Sequence, residues 1–378
     1  MRALLVHSGG PTPVINASMA GVVEEARRHP RITGLWGAAF GMAGAVKEEF
    51  FDLQAQPDAT IQAIANSPSS ALGTSRMELD GAVMEQLLAV CRKREIDCLF
   101  LTGGNGSMGT AAQIGHAAGA ALQVIGIPKT IDNDLLETDH TPGYATTARF
   151  FACAVRDIGA DNRALPGQVQ FVEVLGRNAG WLVAASCLAR HEEDDAPHLI
   201  YFPEERLPLD RLLADIDRVF TRLGRCVVAI CEGQLDEKGE AFGADERGGS
   251  RGKLAMNLAH RLATLAGQRL KVKARGEKPG LLGRSWWSEE PRLDRAEARL
   301  CGSAAVRAAT EGHSGVMVTL QRAPGAEYQV STGLAPLEKA AAGERLLPAE
   351  WRTGAMAQFR NYVVPLVGTI PHYTRLQP

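Results

Sequence analysis

The segment PKTIDND (128–134) places two carboxylates beside a lysine and a threonine, directly after a short apolar run. Neighbouring carboxylates repel each other, which favours a site that uses them. Phosphoryl transfer to a hydroxyl group requires a base, a divalent cation and a cation on the moving group. Asp132 suits the first role, Asp134 would help to hold hydrated Mg²⁺, and Lys129 suits the third. The alternative is a capped turn with solvated acids.

A Gly-rich turn follows the first apolar run of the chain, in the segment SGGPTP (8–13). Two glycines allow the backbone to approach an anion closely, and the following Asn16 is expected at a helix N-cap. The exposed N–H groups and positive dipole end of that helix would favour phosphate. The alternative is a tight turn that leads into an ordinary capped helix.

A second Gly-rich turn spans GGNGSMG (103–109), where Gly104, Gly106 and Gly109 match the G-x-G-x-x-G spacing. In a dinucleotide site, an acidic residue about 20 positions later ends the next strand and binds a ribose hydroxyl. Here the next apolar run ends in Pro-Lys-Thr, and Asp132 comes later, inside a loop. The turn therefore favours phosphate binding, and a nicotinamide oxidoreductase is the less favoured alternative.

Short apolar runs alternate with longer segments of helical periodicity, which predicts an α/β fold with mostly parallel strands. The predicted strands are Ala3–His7, Cys98–Thr102, Val124–Ile127, Val169–Val174, His198–Phe202, Cys226–Cys231 and Gly315–Leu320. The predicted helices are Ala17–Arg28, Gly81–Arg94, Met108–Ala118, Thr146–Asp157, Ala179–Arg190, Leu209–Arg222, Lys253–Ala266 and Arg295–Thr310. Three of the strands lead into the polar segments described above. If these strands are neighbours, all three segments open onto one crevice at the carboxyl edge of the sheet.

The 378 residues predict two domains, since single cores stop growing near about 250–300 residues. The formal net charge of −2 gives no general attraction to nucleic acid or to an anionic membrane. No signal peptide and no apolar run of membrane-spanning length is predicted. Seven cysteines without a C-x-x-C pair indicate reduced, mostly buried thiols of a cytoplasmic protein.

Taken together, these residues resemble the phosphofructokinase family, and in particular its pyrophosphate-dependent branch. The lysine before the threonine in PKTIDND is typical of that branch. The resemblance covers nearly the whole chain. Its segments are GGPTPVINAS (9–18), GGNGS (103–107), PKTIDND (128–134), TDHTPG (138–143), VEVLGRNAGW (172–181), PHLIYFPE (197–204), CEGQ (231–234), ARGEKPGLLGRS (274–285), GVMVTLQR (315–322) and PLVGTIPHY (365–373).

The resemblance implies two Rossmann-like lobes and transfer of a phosphoryl group from pyrophosphate or ATP to the 1-hydroxyl of fructose 6-phosphate, a step of glycolysis. Residues 1–145 and about 284–314 would bind the phosphoryl donor, and residues 146–283 and about 315–378 the sugar phosphate. A homodimer or homotetramer is implied, because one phosphate-binding arginine of the family comes from a neighbouring subunit.

The resemblance also implies a set of site residues. The catalytic residues would be Asp132, Lys129 and Arg177. The acceptor would contact Thr130, Ile131, Asp132, Leu175, Gly176, Arg177, Glu232, Arg275 and Arg284. The donor would contact Gly10, Pro11, Arg76, Gly104, Asn105, Gly106 and Ser107. Mg²⁺ would be held by Asn105 and Asp134.

The chain departs from the family pattern at Asn105, Gly106, Gly109 and Gln168. Asn105 replaces a carboxylate with a weaker magnesium ligand. Gly106 lacks the aspartate that repels ATP in pyrophosphate users, and Gln168 stands where many relatives have an arginine. These departures leave open an ATP-dependent enzyme, a kinase for another sugar phosphate such as sedoheptulose 7-phosphate, and a catalytically weak regulatory paralogue.

Overall fold

The computed structural model describes residues 1–242, 257–286, 288, 290–325, 327–353 and 356–376. Its strands are β1 Arg2–His7, β2 Gly34–Ala38, β3 Phe50–Asp52, β4 Cys98–Gly103, β5 Gln123–Pro128, β6 Gln168–Val174, β7 Leu199–Tyr201, β8 Cys226–Cys231, β9 Lys273–Glu277, β10 Val316–Arg322 and β11 Val330–Pro336. Its α-helices are α1 Ile15–Arg28, α2 Met42–Lys47, α3 Asp58–Ala65, α4 Gly81–Lys93, α5 Asn105–Ala118, α6 Tyr144–Ala164, α7 Trp181–Ala185, α8 Leu209–Leu223, α9 Leu258–Leu270, α10 Leu282–Ser285, α11 Arg292–Thr310, α12 Leu337–Ala340, α13 Ala349–Thr353 and α14 Met356–Val367. Two 3₁₀ turns span Gly119–Ala121 and Ser186–Ala189. Within the described residues, no helix is long and apolar enough to cross a membrane.

The chain divides into two compact units. The first contains residues 1–144 and 284–345, and the second contains residues 145–283 and 346–378. Residues 315–345 therefore belong to the first unit, whereas the sequence-based division assigns them to the second. The reason is strand pairing, because β10 pairs with β5 and β11 pairs with β10.

The first unit contains a seven-stranded sheet in the order β11-β10-β5-β4-β1-β2-β3. The inner strands are parallel, and only the edge strands β3 and β11 run antiparallel to their neighbours. Alternate residues of the central strands enter two different clusters: Leu5 and Phe100 pack with residues of α1 and α11, and Leu4 and Leu99 with residues of α4 and α5. This two-sided burial explains why these strands are near-continuous apolar runs.

The second unit contains a four-stranded parallel sheet in the order β7-β8-β6-β9. Residues of β6 and β8 form one core with α8 and α9. The predicted α/β class with mostly parallel strands is thus confirmed in both units. All seven cysteines are buried, as the sequence predicts.

Two predicted helices differ from the structure. The segment 179–190 forms only the short α7 and a 3₁₀ turn. The helix expected over 253–266 is observed as α9, and residues 253–256 lie outside the described residues. The adjacent Trp286 and Trp287, a pair typical of a core or subunit contact and less often of a sugar pocket, also fall partly outside them, because Trp287 is not described.

Candidate active site

The three polar segments singled out in the sequence follow three neighbouring strands. His7 of β1 is in register with Thr102 of β4, and Thr102 is in register with Ile127 of β5. Gly103 is likewise in register with Pro128. The segments that follow these strands therefore begin at the same edge of the sheet, as predicted.

The first segment is fixed by hydrogen bonds to its neighbours. The Ser8 N–H donates to the Thr102 carbonyl at 2.9 Å, and the Gly9 N–H donates to the Ser75 carbonyl at 3.0 Å. The Thr74 hydroxyl donates to the Gly9 carbonyl at 2.7 Å. Gly9 has a φ of +79°, which glycine adopts without strain. The turn is thereby held in a backbone conformation that few other residue types accept.

Lys129 carries a buried ammonium group directly behind this turn. Its Nζ donates to the carbonyl oxygens of Ser8 and Gly10, each at 2.8 Å. Burial first, and then the positive charge of Arg284, lower the pKa of Lys129 to about 8, although Asp132 acts in the opposite direction. The ammonium is thus a cation whose charge changes close to neutral pH.

Two guanidinium groups lie over Gly10. A Cβ atom added at Gly10 would be 2.5 Å from Nη1 of Arg284 and 3.6 Å from Nη2 of Arg76. With Lys129, they surround the glycine turn with three cationic side chains. Such a set suits a polyanion, since guanidinium groups bind phosphate oxygens through two N–H groups at once. Arg284 is expected among the acceptor residues, and the structure places it beside the donor turn.

The second segment forms the start of a helix. α5 begins at Asn105 with Gly104 as its N-cap, so its first N–H groups have no intrahelical partner. Gly106 is exposed, and an added Cβ would meet nothing within 4 Å. The Ser107 hydroxyl donates to the Ser8 hydroxyl at 2.9 Å, which joins this helix to the first turn. The helix N-terminus therefore lies beside Ser8 with its positive dipole end.

Asn105 and Asp134, the predicted magnesium ligands, are in direct contact. Nδ2 of Asn105 donates to Oδ2 of Asp134 at 2.9 Å. The Oδ1 atoms of both residues are buried and have no hydrogen-bond partner among the described residues. Burial raises the pKa of Asp134, and nearby Glu344 adds to this. Two buried, unsatisfied oxygens fit a hard cation that keeps several waters and uses one carboxylate.

No cluster of three or more His, Cys, Asp or Glu residues with metal-binding geometry occurs within the described ranges. This observation is compatible with Mg²⁺, which is usually bound by one or two carboxylates together with substrate phosphates. A structural zinc site, in contrast to such a magnesium site, would need four nitrogen or sulfur ligands.

The loop that carries Asp132 is held by side chains of its own and by Arg345. The Asp132 N–H donates to Oγ1 of Thr130 at 3.1 Å. The Thr141 hydroxyl donates to the Thr130 carbonyl at 2.9 Å, and the Thr141 N–H donates to Oδ1 of Asn133 at 3.1 Å. Nε of Arg345 donates to the Asn133 carbonyl at 3.2 Å. These bonds fix Thr130 and Asn133, on either side of Asp132, and Arg345 is a contributor that sequence reasoning missed.

In the second unit, the segment LGR (175–177) leaves the carboxyl end of β6. Gly176 has a φ of +117°. The Glu232 N–H donates to the Val174 carbonyl at 2.8 Å. A Cβ at Gly233 would overlap the carbonyl of Arg177, so the two turns pack backbone against backbone. The strand ends thus bring Arg177 and Glu232 together, as expected from the sequence.

Glu232 lies near a second buried carboxylate, Glu173. Burial, followed by the charge of Glu173, raises the pKa of Glu232. Nζ of Lys278 pairs with Oε1 of Glu173 at 2.6 Å, and the Ala259 N–H donates to Oε2 of Glu173 at 3.1 Å. Arg275 is exposed on β9. Glu173 and Lys278 were not predicted, because a glutamate within an apolar strand and a lysine in a loop carry no distinctive spacing.

One expectation from the sequence, the cap of α1, is wrong. Asn16 does not cap α1, which starts one residue earlier. Its Oδ1 instead accepts from the Ala71 N–H at 2.8 Å, and its Nδ2 donates to the Ser67 carbonyl at 3.2 Å. Gln168 lies at the start of β6, at the opposite end from the LGR turn, and its side chain donates to the Leu165 carbonyl at 3.2 Å. The Gln168 amide is therefore hydrogen-bonded within the protein.

The comparisons with known proteins agree with this arrangement. The family model for phosphofructokinase matches residues 2–309. The chain is 37% identical to a pyrophosphate–fructose 6-phosphate 1-phosphotransferase of Rhodospirillum rubrum, over 97% of this chain and 94% of that protein. It is 32% identical to a sulfofructose kinase of Alkalicoccus urumqiensis, over 92% of this chain and 91% of that one.

A similar fold occurs in the crystal structure of a pyrophosphate-dependent phosphofructokinase from Nitrosospira multiformis. The TM-score is 0.88 at 32% identity, and the match covers 100% of this chain and 95% of that chain. Both the family match and the shared fold extend over the residues that build the two strand-end sites described above. The chain belongs to the phosphofructokinase family.

Proposed function

We propose that this protein transfers a phosphoryl group from pyrophosphate to the 1-hydroxyl of fructose 6-phosphate. The observation that carries the proposal is the set of three cations around the Gly10 turn, beside the loop that bears Asp132. A cationic pocket at strand ends suits a compact polyanion, and no base-binding element is needed to hold pyrophosphate. The similarity to the Rhodospirillum rubrum enzyme supports the same donor and acceptor.

In this proposal, Asp132 accepts the proton of the attacking hydroxyl while the terminal phosphoryl group of the donor moves in line. Lys129, Arg76 and Arg284 offset the charge on the donor, and the N-terminus of α5 adds its dipole. Most of the rate enhancement then comes from positioning and electrostatics. With pyrophosphate as donor the reaction would run readily in both directions, because the energies of the phosphoanhydride and the ester are closer than with ATP.

The acceptor is assigned to Thr130 and Ile131 and to strand ends of the second unit. Arg177 and Arg275 offer guanidinium groups for phosphate oxygens. Glu232, in its ionised form, would accept a hydrogen bond from a sugar hydroxyl.

Magnesium is the proposed cofactor, held by Asn105, Asp134, waters and donor phosphate oxygens. When bound, Mg²⁺ would neutralise part of the phosphate charge. The two unsatisfied Oδ1 atoms support this assignment. Titration with Mn²⁺, followed by its electron paramagnetic resonance signal, would detect the site directly. Replacement Asp134→Asn should weaken that binding.

A second candidate is transfer to another sugar phosphate, or from ATP. The exposed Gly106 leaves space on the donor side, and the similarity to a sulfofructose kinase suggests that related chains accept other sugars. A catalytically weak regulatory role is disfavoured, because Lys129, Asp132, Asp134 and Arg177 are all present.

Initial rates would test these assignments. Pyrophosphate, ATP and ADP are compared as donors with fructose 6-phosphate and sedoheptulose 7-phosphate as acceptors, all with Mg²⁺. We expect pyrophosphate and fructose 6-phosphate to give the highest kcat/KM. Replacement Asp132→Asn should lower kcat by about 10²–10⁴-fold, since this is the usual contribution of a general base. The matched control is Glu137→Gln, an exposed carboxyl of the same loop. Equal rates for Asp132→Asn and the control would contradict the base assignment.

A homodimer or homotetramer in the cytoplasm is also proposed. Both features rest on the family resemblance and, for location, on the buried thiols. Sedimentation equilibrium of the intact chain would give the number of subunits, and fractionation of the producing cell would give the location.

A further inference from the structure

His140 lies buried between two carboxylates, outside the residues assigned above. Its Nδ1 is 2.8 Å from Oδ2 of Asp139, and its Nε2 is 2.7 Å from Oε2 of Glu297. Only 1% of the His140 side chain and 4% of the Glu297 side chain are exposed. A neutral imidazole has one N–H and would turn a nitrogen lone pair toward one of the carboxylates. With both carboxylates ionised, this geometry favours donation by both ring nitrogens, which is the imidazolium form of His140.

The two carboxylates bind further groups from other elements. Oδ2 of Asp139 accepts from Nε of Arg322 at 3.2 Å. Oε1 of Glu297 accepts from the Tyr328 hydroxyl. Arg322 ends β10, Tyr328 precedes β11, and Glu297 belongs to α11. His140 thus joins the loop after β5 to the hairpin at one sheet edge and to a helix of the core.

This network continues directly to the loop that bears Asp132. Thr141, the next residue after His140, donates from its N–H to Asn133 and from its hydroxyl to Thr130. Asn133 follows Asp132 directly, and Thr130 precedes it by two residues. The Thr138 hydroxyl donates to the His140 carbonyl at 2.9 Å and accepts from the Leu320 N–H at 2.9 Å. Displacement of His140 would therefore move Thr141 and, through it, the backbone on both sides of Asp132.

We propose that His140 is a positioning residue for the phosphoryl transfer, and that its ion pairs with Asp139 and Glu297 hold the Asp132 loop in its active geometry. The inference rests on the proposed function, because it assigns His140 to the same reaction. The expected effect of losing His140 is on kcat rather than on binding of the donor, because His140 itself is buried and contacts carboxylates.

The charge of His140 makes its ion pairs with Asp139 and Glu297 sensitive to pH. The groups that face it are Asp139 from its own loop, Glu297 from α11 and Tyr328 from the turn before β11, and Arg322 and Arg345 act on it through Asp139. Burial alone would lower the pKa of His140, but the bonds to Asp139 and Glu297 outweigh it, and the net shift is upward. The ion pairs are intact below the usual histidine pKa. They are lost as pH rises through the higher pKa of the folded state.

The experiment uses the full chain with ¹⁵N-labelled histidine. Long-range ¹H–¹⁵N spectra report the protonation of each ring nitrogen, and kcat and KM are measured across the same pH range. We expect the His140 signal to show a doubly protonated ring at neutral pH. Replacement His140→Gln should lower kcat by about 10- to 100-fold, as expected for a misplaced catalytic group. The donor KM should change less than about threefold.

Replacement Glu297→Gln is a milder test that keeps the shape of the side chain. The loss of one carboxylate should lower the pKa of His140, and the alkaline decline of kcat should move to lower pH with it. The matched control is His116→Gln, because His116 forms an exposed ion pair with Glu338. If His140→Gln does not fold, the parallel shift of spectrum and kcat in Glu297→Gln decides the question.

A singly protonated His140 ring at neutral pH would overturn the inference. So would a kcat profile that stays fixed in Glu297→Gln while the ring pKa moves. Absence of phosphoryl transfer by the unsubstituted protein would overturn the proposed function and, with it, the role of His140 in that reaction. This outcome is distinguished from a wrong protonation state of His140, because the spectra are recorded without substrates.

Discussion

Nζ of Lys129 lies 2.8 Å from the carbonyl oxygen of Gly10, so a residue just after β5 is hydrogen-bonded to the loop after β1. A second bond of equal length reaches the Ser8 carbonyl. Lysine has three N–H groups, and the described residues accept from two of them. Lys129 therefore stabilises the turn and, in the proposed reaction, would also supply charge for the donor.

The charge of Lys129 should govern how donor binding depends on pH. Because its pKa is lowered to about 8, the ammonium is charged below that value and neutral above it. The KM for pyrophosphate should therefore rise as pH passes upward through about 8. Replacement Lys129→Met should raise KM at neutral pH and remove this inflection.

Steady-state rates at saturating acceptor, on both sides of pH 8, would measure the effect. Pyrophosphate itself titrates, but it does so equally for both proteins, so the difference between them reports Lys129. The surface replacement Lys93→Met is the matched control. Parallel curves for the unsubstituted protein and Lys129→Met would disprove the assignment.

The open space at Gly106 should decide whether ATP is used. An aspartate fits there without a clash, and its charge near the helix N-terminus is favourable for folding. Replacement Gly106→Asp should lower kcat/KM for ATP by at least about tenfold, since like-charge juxtaposition costs on the order of several kcal/mol and about 1.4 kcal/mol corresponds to a factor of ten. The value for pyrophosphate should stay within about threefold. Gly81→Asp is the control, because Gly81 also opens a helix and has nothing within 4 Å. An equal loss of kcat/KM with ATP and with pyrophosphate would contradict the proposed role of Gly106 in the use of ATP.

The sequence predicted the elements that end at the site, because β1, β4, β5, β6 and β8 are buried apolar runs. It did not predict β2, β3, β9 and β11. GLWGA has little β-branched content, and KARGE is a polar edge strand. The contribution of Arg345 to the Asp132 loop also escaped prediction, since the two residues are distant in the chain. Such contacts depend on tertiary packing, which a local pattern does not contain.

The pair of Lys278 and Glu173 should control the ionisation of Glu232. Lys278 lowers the pKa of Glu232, whereas burial and Glu173 raise it. Replacement Lys278→Met should therefore raise that pKa further. In the proposed function the ionised carboxylate of Glu232 accepts a hydrogen bond from the sugar, so the KM for the sugar phosphate should rise as pH falls through this pKa.

The acid-side inflection of the acceptor KM should thus move to higher pH in Lys278→Met. Rates at fixed, saturating donor would measure it. Lys273→Met, an exposed lysine on β9, is the matched control. An inflection at the same pH in all three proteins would show that Glu232 does not bind the acceptor in its ionised form.

The close crossing of α1 and α11 should make Gly302 important for stability. A Cβ at Gly302 of α11 would overlap the carbonyl oxygen of Ser18 in α1, and backbone atoms cannot move aside cheaply. Replacement Gly302→Ala should destabilise the protein by about 1–3 kcal/mol through overpacking, despite the gain in helix propensity of up to about 1 kcal/mol. In α5, Gly115→Ala is the matched control, because its Cβ would lie 4.0 Å from Val124. That control should gain stability from propensity alone, so denaturant midpoints of the two variants should move in opposite directions. A midpoint for Gly302→Ala at or above that of the unsubstituted protein would show that the two helices separate without loss.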